Sequence, residues 1–300
     1  MTRTALLDAD ILNYEIGYSG QIIDKETKEL HIYSWEEVRG FLDKKLEIIL
    51  EESESSDLCL YFTNTKRINS MLNKQRKREE RPTREFIPNF REEKAVSKEY
   101  KGGRKQEKPH HFYNVLAHLM GSFPYVVDEN GLEADDAICI RQYKTWADGD
   151  TIICSRDKDL RQCPGLHYSW EINKQAAVGP LFIEPLGFIE KRDKTSTGKP
   201  KPPTLFGGGH KFFYAQMLMG DSTDNIEGIP GYGPVFAYNL LKDAKTEREC
   251  YELAAELYVK TYGDDWKTRM TEQANLLWMV RELDEQGNRV DWRPPKKVVT

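Results

Sequence analysis

The 300-residue sequence lacks any apolar run of about 18 residues, the length that a membrane-spanning helix requires. Its first ten residues, MTRTALLDAD, turn acidic at once and do not resemble a signal peptide. Cysteine is also scarce: the five cysteines are odd in number and show no C-x-x-C spacing, which argues against a disulfide framework or a zinc site. We therefore expect a reduced, cytoplasmic protein, which would lie in the host cytoplasm if a phage encodes it.

Charge is distributed unevenly along the chain. Residues 64–108 hold 15 Lys and Arg against 7 Asp and Glu, whereas the whole chain carries a formal net charge of -5. A basic stretch inside an acidic protein indicates a polyanionic partner that is met on one face, although a solvated helical surface would give the same composition.

Short apolar segments alternate with helical patterns in the first part of the chain. The segment 34–52 opens with Ser34 and Glu37 at capping-box spacing and then repeats apolar residues at helical intervals. This alternation predicts an α/β core with a largely parallel sheet, whose ligands gather at the carboxyl ends of the strands. The predicted strands are 4–10, 57–62, 125–128 and 150–155.

The texture changes after about residue 186. Residues 191–211 are rich in Lys, Pro and Gly, a composition typical of a mobile loop or linker, and only helical patterns follow. We therefore predict two domains, with a boundary at 185/186. The first is an α/β core with the basic stretch as an insertion, and the second is a helical region over 186–300.

Acidic residues recur at the ends of the predicted elements. Because these ends meet at one edge of a parallel sheet, carboxylates about 4 Å apart would repel by roughly 4 kcal/mol at an effective dielectric near 20, unless a cation lies among them. Carboxylates without His or Cys favour Mg²⁺ or Mn²⁺, and two such ions can drive the attack of water on a phosphodiester. The acids are Asp8, Asp10, Glu133, Asp135, Asp136, Asp157, Asp159, Asp221 and Asp224.

Two further motifs are suited to phosphate. Lys101 and Arg104 lie three apart in YKGGRK, so that on the first turns of a helix both would face a scissile phosphate, although an ordinary solvated helix start has the same pattern. In GIPGYGP, three glycines permit a tight turn between two helices whose N–H groups can hold a DNA phosphate. These glycines are Gly228, Gly231 and Gly233.

In order, LLDADIL, NFR followed by YKGGR, LEADD, SRDKDL and GDSTDNIEGIPGYGP resemble the signatures of the 5′-nuclease family. This family includes flap endonucleases, the 5′-nuclease domain of bacterial DNA polymerase I and phage 5′→3′ exonucleases. The resemblance covers about residues 4–245, and in length and in its basic insertion the chain looks most like the exonucleases of short-tailed T-odd coliphages. It implies a PIN-like, Rossmann-like nuclease core, a helical arch and a C-terminal helix-hairpin-helix over 219–241.

The resemblance also implies roles for individual residues. Lys101 and Arg104 match the catalytic cation pair, which also binds DNA, and Arg91, Gly228, Gly231 and Gly233 match DNA-binding positions, with a possible K⁺ at the hairpin. Two metal ions, Mg²⁺ or in substitution Mn²⁺, are implied. Their ligands would be Asp8, Glu133, Asp135, Asp136, Asp157, Asp159, Asp221 and Asp224.

The chain departs from the family pattern at Thr63, where an acid usually follows the second strand. Thr63 could bind metal weakly or through water, and Asp10 could compensate. A second departure is the basic insertion 67–88, which should extend the arch or the track for the 5′-ended strand.

The expected activity is a Mg²⁺-dependent 5′→3′ exonuclease that acts on duplex DNA and on the RNA of RNA–DNA hybrids and releases nucleoside 5′-monophosphates. It would serve phage replication, primer removal, recombination and degradation of host DNA, and phage replication proteins could be partners. A structure-specific flap endonuclease and a catalytically impaired DNA-binding relative are the alternatives.

Overall fold

The computed structural model describes residues 2–102, 107–173, 175–195 and 198–296. Two compact units make up the chain, and each is discontinuous in sequence. Unit 1 consists of Met1–Asn89, Lys105–Lys158 and Gly165–Phe182, and unit 2 consists of Phe90–Arg104, Asp159–Pro164 and Ile183–Thr300.

Unit 1 is built on a six-stranded sheet with the strand order β5-β4-β1-β6-β7-β8. The pairs β4–β5, β1–β4, β1–β6 and β6–β7 are all parallel, so the predicted α/β core with a largely parallel sheet is confirmed. The strands are β1 (Thr4–Asp8), β4 (Asp57–Phe62), β5 (Tyr125–Val127), β6 (Thr151–Cys154), β7 (Gly165–Ser169) and β8 (Val178–Ile183).

The central strands are apolar because helices cover the sheet. In β1 the residues Ala5, Leu6 and Leu7 are at most 1% exposed, as expected for a parallel strand that is buried on both faces. The helices of unit 1 are α1 (Ala9–Ser19), α2 (Trp35–Glu52), α3 (Lys66–Arg78), α5 (Phe112–Ser122) and α6 (Ala134–Tyr143), and a separate hairpin joins β2 (Gln21–Ile23) to β3 (Leu30–Ile32). The predicted capping box of Ser34 and Glu37 is present at the start of α2.

Unit 2 has its own core of buried aromatic and aliphatic side chains around α7. Its helices are α4 (Phe90–Lys94), α7 (Gly209–Met219), α8 (Pro234–Leu241), α9 (Glu247–Tyr262) and α10 (Trp266–Leu277). The four helical patterns that the sequence predicted beyond residue 211 correspond to α7, α8, α9 and α10.

The loop or linker that we predicted over 191–211 is wrong for most of that stretch. It contains parts of two antiparallel strands, β9 (Phe188–Lys194) and β10 (Pro200–Gly208), so the region after 186 is not all helical. The prolines and lysines of this stretch gave it the composition of a linker and hid the strand pattern, and the pairing shifts register between Pro200 and Thr204. A side-chain contact adds to the backbone pairing, with the guanidinium of Arg192 3.5 Å from the ring centroid of Phe206.

Among the described residues, no helix has the length and apolarity that crossing a membrane would require.

Candidate active site

Asp8 ends β1 and is held by two donors on different elements. Its Oδ1 accepts a hydrogen bond from the backbone N–H of Ile11 at 3.3 Å, which makes Asp8 the N-cap of α1. Its Oδ2 accepts from the hydroxyl of Ser155, just beyond β6, at 2.8 Å. The side chain is only 2% exposed, so its position at the carboxyl end of the central strand is fixed.

Negative charge accumulates around this carboxylate. The pKa of Asp8 is raised from 3.8 to about 7: burial is the largest cause, the nearby charges of Asp10 and Asp157 also raise it, and the hydrogen bonds from Ser155 and Ile11 lower it. Among the described residues, the groups that favour the ionised form are thus a hydroxyl and a peptide N–H rather than a cation. A divalent ion would supply the missing positive charge, so the donor set fits a hard metal.

Asp10 and Thr63 are joined across β1 and β4. The backbone N–H of Thr63 donates to Oδ2 of Asp10 at 2.9 Å, and the Thr63 hydroxyl accepts from the N–H of Ala134 at 2.9 Å. Thr63 therefore caps the first turn of α6, where the family pattern has an acid. Asp10 brings a carboxylate to the same strand end, as the suggested compensation requires.

Glu133, Asp135 and Asp136 lie at the N-terminus of α6. Glu133 and Asp136 form a reciprocal capping box, in which the N–H of Glu133 donates to Oδ2 of Asp136 at 3.2 Å. Asp136 is fully buried and Glu133 is 8% exposed. The positive end of the helix dipole lies at this N-terminus and partly offsets the negative charge of these acids.

Ser155 is a functional candidate that sequence reasoning missed. Its hydroxyl donates to the carboxylate of Asp8 and accepts from the backbone N–H of Asp157 at 2.9 Å, so one small side chain orients one predicted metal ligand and holds the backbone of another. The signal was its position, directly after a buried strand and two residues before Asp157.

In unit 2, Asp221 and Asp224 lie on one tight loop after α7. Asp221 pairs with Ile226 through both backbone groups at 2.8 Å, its Oδ1 accepts from the N–H of Thr223 at 2.8 Å, and it is 5% exposed. Asp224 accepts a bond from the hydroxyl of Tyr100 at 3.3 Å, and its backbone carbonyl accepts from the N–H of Lys101 at 3.1 Å.

Lys101 is thus brought to the loop of Asp224, but on a turn and not on a helix as we predicted. Its φ is 56°, a left-handed conformation that ends any helical path at this residue. Its ammonium lies 4.9 Å from the ring centroid of Tyr100. Arg104, the other member of the predicted pair, lies outside the described residues.

Asp159 opens a 3₁₀ turn in unit 2 and is 7% exposed. Its Oδ1 accepts a hydrogen bond from Nε2 of Gln216 on α7 at 2.5 Å. Gln216 had no role in the sequence-based prediction.

The glycine turn divides into a buried part and an exposed part. Gly228 is buried with a φ of 68°, and a Cβ there would lie 2.2 Å from the backbone nitrogen of Gly220, so it closes the loop and does not face DNA as predicted. Gly231 has a φ of 86°, and both Gly231 and Gly233 are exposed, with no atom within 4 Å of an added Cβ. Gly233 has a φ of -98° and serves as N-cap of α8, so it does not need the left-handed conformation that we expected.

Arg91, whose role in DNA binding stays a prediction, lies inside unit 2. The side chain is fully buried, and its guanidinium donates to the carbonyls of Leu276 at 3.0 Å and Trp278 at 2.7 Å. It therefore satisfies carbonyls at the C-terminus of α10.

Within the described ranges, no group of three or more His, Cys, Asp or Glu side chains has an arrangement that could hold a metal ion. The convergence of all eight predicted ligands stays a prediction.

A cationic groove of about 380 Å³ lies along α3 in the basic stretch. Side chains at helical spacing line it together with one residue of the following segment, and every charged group among them is a lysine. The lining residues are Lys66, Asn69, Ser70, Asn73, Lys74, Lys77 and Thr83.

No protein-family model matches the chain. Among curated proteins it is similar to DNA polymerase I of Bacillus caldotenax, with 32% identity over 178 residues, which are 56% of this chain and 19% of that protein. It is also similar to DNA polymerase I of Geobacillus stearothermophilus, with 31% identity over 218 residues, 68% of this chain and 22% of that protein. The chain thus spans about a fifth of the length of these relatives. These matches confirm the resemblance to the family that includes a domain of bacterial DNA polymerase I.

Solved structures give only a general likeness. A T5 5′-exonuclease variant matches with a TM-score of 0.43 and 11% identity, covering 92% of this chain and 93% of that one. A flap endonuclease of bacteriophage T5, in complex with DNA and metal ions, matches with a TM-score of 0.45 and 11% identity, covering 92% of this chain and 99% of that one.

Proposed function

We propose that the chain is a Mg²⁺-dependent 5′→3′ exonuclease that hydrolyses duplex DNA from 5′ ends to nucleoside 5′-monophosphates and also attacks the RNA of RNA–DNA hybrids. The observation that carries the proposal is the gathering of Asp8, Asp10 and Asp157 at the end of the central strand, where burial, together with the charges of Asp10 and Asp157, raises the pKa of Asp8 to about 7. Support for a nucleic-acid substrate comes from the sequence similarity to DNA polymerases.

The acids of unit 1 would hold divalent metal through hard oxygen ligands, with Mn²⁺ able to replace Mg²⁺. When bound, two such ions would lower the pKa of the attacking water and neutralise the leaving oxygen. Ser155 orients the carboxylate of Asp8 and holds the backbone of Asp157, and Asp10 supplies the carboxylate that Thr63 lacks. The ligands proposed in unit 1 are Asp8, Glu133, Asp135, Asp136 and Asp157, with Asp10 as an addition.

In unit 2, Asp159, Asp221 and Asp224 are the proposed ligands. The hydrogen bonds to Asp224 from Tyr100 and Lys101 fix the turn that carries the Lys101 ammonium. That ammonium, with Arg104, would neutralise the charge that grows on the scissile phosphate. Contact with a phosphate does not read the DNA bases, so cleavage should not depend on the sequence of the DNA.

DNA would be held by groups that face phosphate. The exposed turn at Gly231 and Gly233 leaves open space around its backbone, so that a phosphate can approach the N-terminal amides of α8. This is the proposed helix-hairpin-helix, which could take a K⁺ ion. The cationic groove on α3 would bind further phosphates along the strand.

The proposal is tested with Asp157→Asn and Asp221→Asn. Each should abolish Mg²⁺-dependent cleavage of end-labelled duplex while DNA binding in Ca²⁺ stays close to that of the unchanged chain. Wild-type cleavage by either variant would refute the assignment of these acids. Lys101→Ala should lower the cleavage rate far more than DNA affinity, and equal losses would make Lys101 a binding residue only.

A structure-specific flap endonuclease is the second candidate, because the same family resemblance covers it. Nicked, gapped and flap substrates separate the two activities. Mononucleotides or dinucleotides as first products support the exonuclease, whereas cuts confined to the flap junction would replace it. The third possibility, a DNA-binding relative impaired at Thr63, requires DNA binding with no cleavage in either Mg²⁺ or Mn²⁺.

The proposed setting is phage DNA replication, with roles in primer removal, recombination and degradation of host DNA beside phage replication proteins. It rests on the resemblance alone.

A further inference from the structure

A chain of buried hydrogen bonds in unit 2 ends on Asp159. Gln216, which is 1% exposed, donates through Nε2 to Oδ1 of Asp159 at 2.5 Å. Gln162, which is fully buried, donates through its own Nε2 to Oε1 of Gln216 at 2.8 Å. The proposed function uses neither glutamine.

The backbone fixes the direction of this chain. Nε2 of Gln162 also donates to the carbonyl of Leu277 at 2.9 Å, and its Oε1 accepts from the N–H of Met279 at 3.4 Å. A carbonyl can only accept and an N–H can only donate, so the amide of Gln162 has one possible orientation.

The orientation of the Gln162 amide in turn fixes that of the Gln216 amide. Its Oε1 must face the donating Nε2 of Gln162, and its NH₂ group therefore faces Asp159. The donor of Gln216 therefore points at Oδ1 of Asp159 and favours one orientation of that carboxylate.

A carboxylate held in one orientation is what a divalent cation requires of a ligand, and the residues that hold such ligands commonly control metal affinity.

We propose that Gln216 is a positioning residue that orients the Asp159 carboxylate for a divalent metal ion. Gln162 and the backbone of residues 277–279 set the direction of its amide. This inference rests on the proposed function, which assigns Asp159 to metal.

The test is the affinity of the whole chain for Mn²⁺ without DNA, measured by isothermal titration calorimetry. Gln216→Met keeps the length of the side chain and removes the donor, so it should weaken the binding of the ion that Asp159 holds by about tenfold. The matched control is Gln142→Met, at a fully buried glutamine of unit 1 that donates to the carbonyl of Leu166 at 3.0 Å. The control should leave Mn²⁺ affinity unchanged.

A double-mutant cycle shows whether Gln216 acts through Asp159. In an Asp159→Asn background, Gln216→Met should cause no further loss of Mn²⁺ affinity. Gln162→Met should weaken binding in the same direction but by less, and it decides the question if Gln216→Met does not fold.

Wild-type Mn²⁺ affinity in a folded Gln216→Met protein would overturn the proposal, as would a full loss that persists beside Asp159→Asn. If Asp159→Asn alone leaves Mn²⁺ affinity unchanged, the error lies in the proposed function and its assignment of Asp159.

Discussion

The acids of the two units are held in different ways. In unit 1, Asp8 lies near Asp10 and Asp157, and burial together with these two negative charges raises its pKa. In unit 2, Asp159 and Asp224 each accept a bond from a neutral side-chain donor, Gln216 and Tyr100 respectively. A cation bound in unit 1 would therefore relieve the repulsion between its carboxylates. In unit 2, by contrast, a separate hydrogen bond orients each of the two acids. Bound metal should consequently raise the free energy of unfolding of unit 1, in addition to any part that the metal has in catalysis.

The largest expected effect is that of Asp8→Asn. Cleavage should fall by at least about 100-fold, because a central ligand is lost. Yet the metal-free protein should become more stable by about 2–4 kcal/mol, because the substitution removes a buried charge while asparagine still caps α1. Thermal unfolding in EDTA measures this gain.

The pH dependence of the free energy of unfolding gives a second test of the role of Asp8. The pKa of Asp8 is raised from 3.8 to about 7, so its stabilising contribution is complete below pH 3.8 and is lost as the pH rises towards 7. Asp8→Asn should flatten this slope in metal-free protein. The exposed Asp264→Asn is the matched control and should change the free energy of unfolding by no more than about 0.5 kcal/mol. A destabilised Asp8→Asn protein would contradict the repulsion.

Gly228 and Gly231 lie in the same turn of unit 2, but Gly228 is buried and Gly231 is exposed. Substituting each with alanine therefore separates a packing role from a binding role. Gly228→Ala should destabilise the protein by several kcal/mol or prevent folding, since its Cβ would overlap the backbone of Gly220 at a φ of 68°. Gly231→Ala meets open space and should cost only about 1 kcal/mol for its positive φ. Denaturant unfolding measures both values.

The same pair separates stability from DNA binding. Gly231→Ala should weaken duplex binding in Ca²⁺ while unfolding near the wild-type denaturant concentration. Unchanged duplex affinity in that variant would remove the turn from the DNA-binding surface.

Unit 2 should respond to pH in the opposite direction from unit 1, because of His210. Nη1 of Arg281 lies 2.7 Å from Nε2 of His210, and burial together with this charge lowers the pKa of the imidazole from 6.5 to about 3. The neutral ring can still donate from Nδ1 to Glu247, 3.3 Å away. The unfolded chain therefore takes up a proton below pH 6.5 that the folded chain refuses until about pH 3.

Stability should accordingly be lost by a few kcal/mol as the pH falls from 6.5 towards 3. His210→Gln retains a side-chain donor and removes the titration, so its unfolding free energy should depend less on pH across this window. The exposed His31→Gln is the control. A wild-type pH slope in His210→Gln would show that another group is responsible.

The sequence predicted the strands that place Asp8 and Asp157, because buried parallel strands have strong local patterns. It did not predict β9 and β10, whose prolines and lysines have the composition of a linker. It also could not predict the burial of Arg91, because a buried arginine at a helix C-terminus and a DNA-binding arginine look alike in sequence.

Ser155 and Gln216 were missed for a related reason. Their importance lies in hydrogen bonds between residues far apart in the chain, Ser155 with Asp8 and Gln216 with Asp159. Neither contact leaves a periodic or spaced pattern, so only the fold reveals the groups that orient the acids.

The smallest expected effect is on DNA affinity, when single lysines of the cationic groove are replaced. Lys74→Gln and Lys77→Gln each remove one charge from the lysine lining of α3. If each lysine neutralises a phosphate, duplex affinity should weaken equally for all sequences, and the slope of log affinity against log salt should fall by about 1 per substitution.

The exposed Lys25→Gln serves as the control, since it removes a lysine of unit 1 outside the groove. It should change neither affinity nor slope. A slope that falls equally in all three variants would mean that DNA responds to the net charge of the protein, and the groove would then have no particular part in binding.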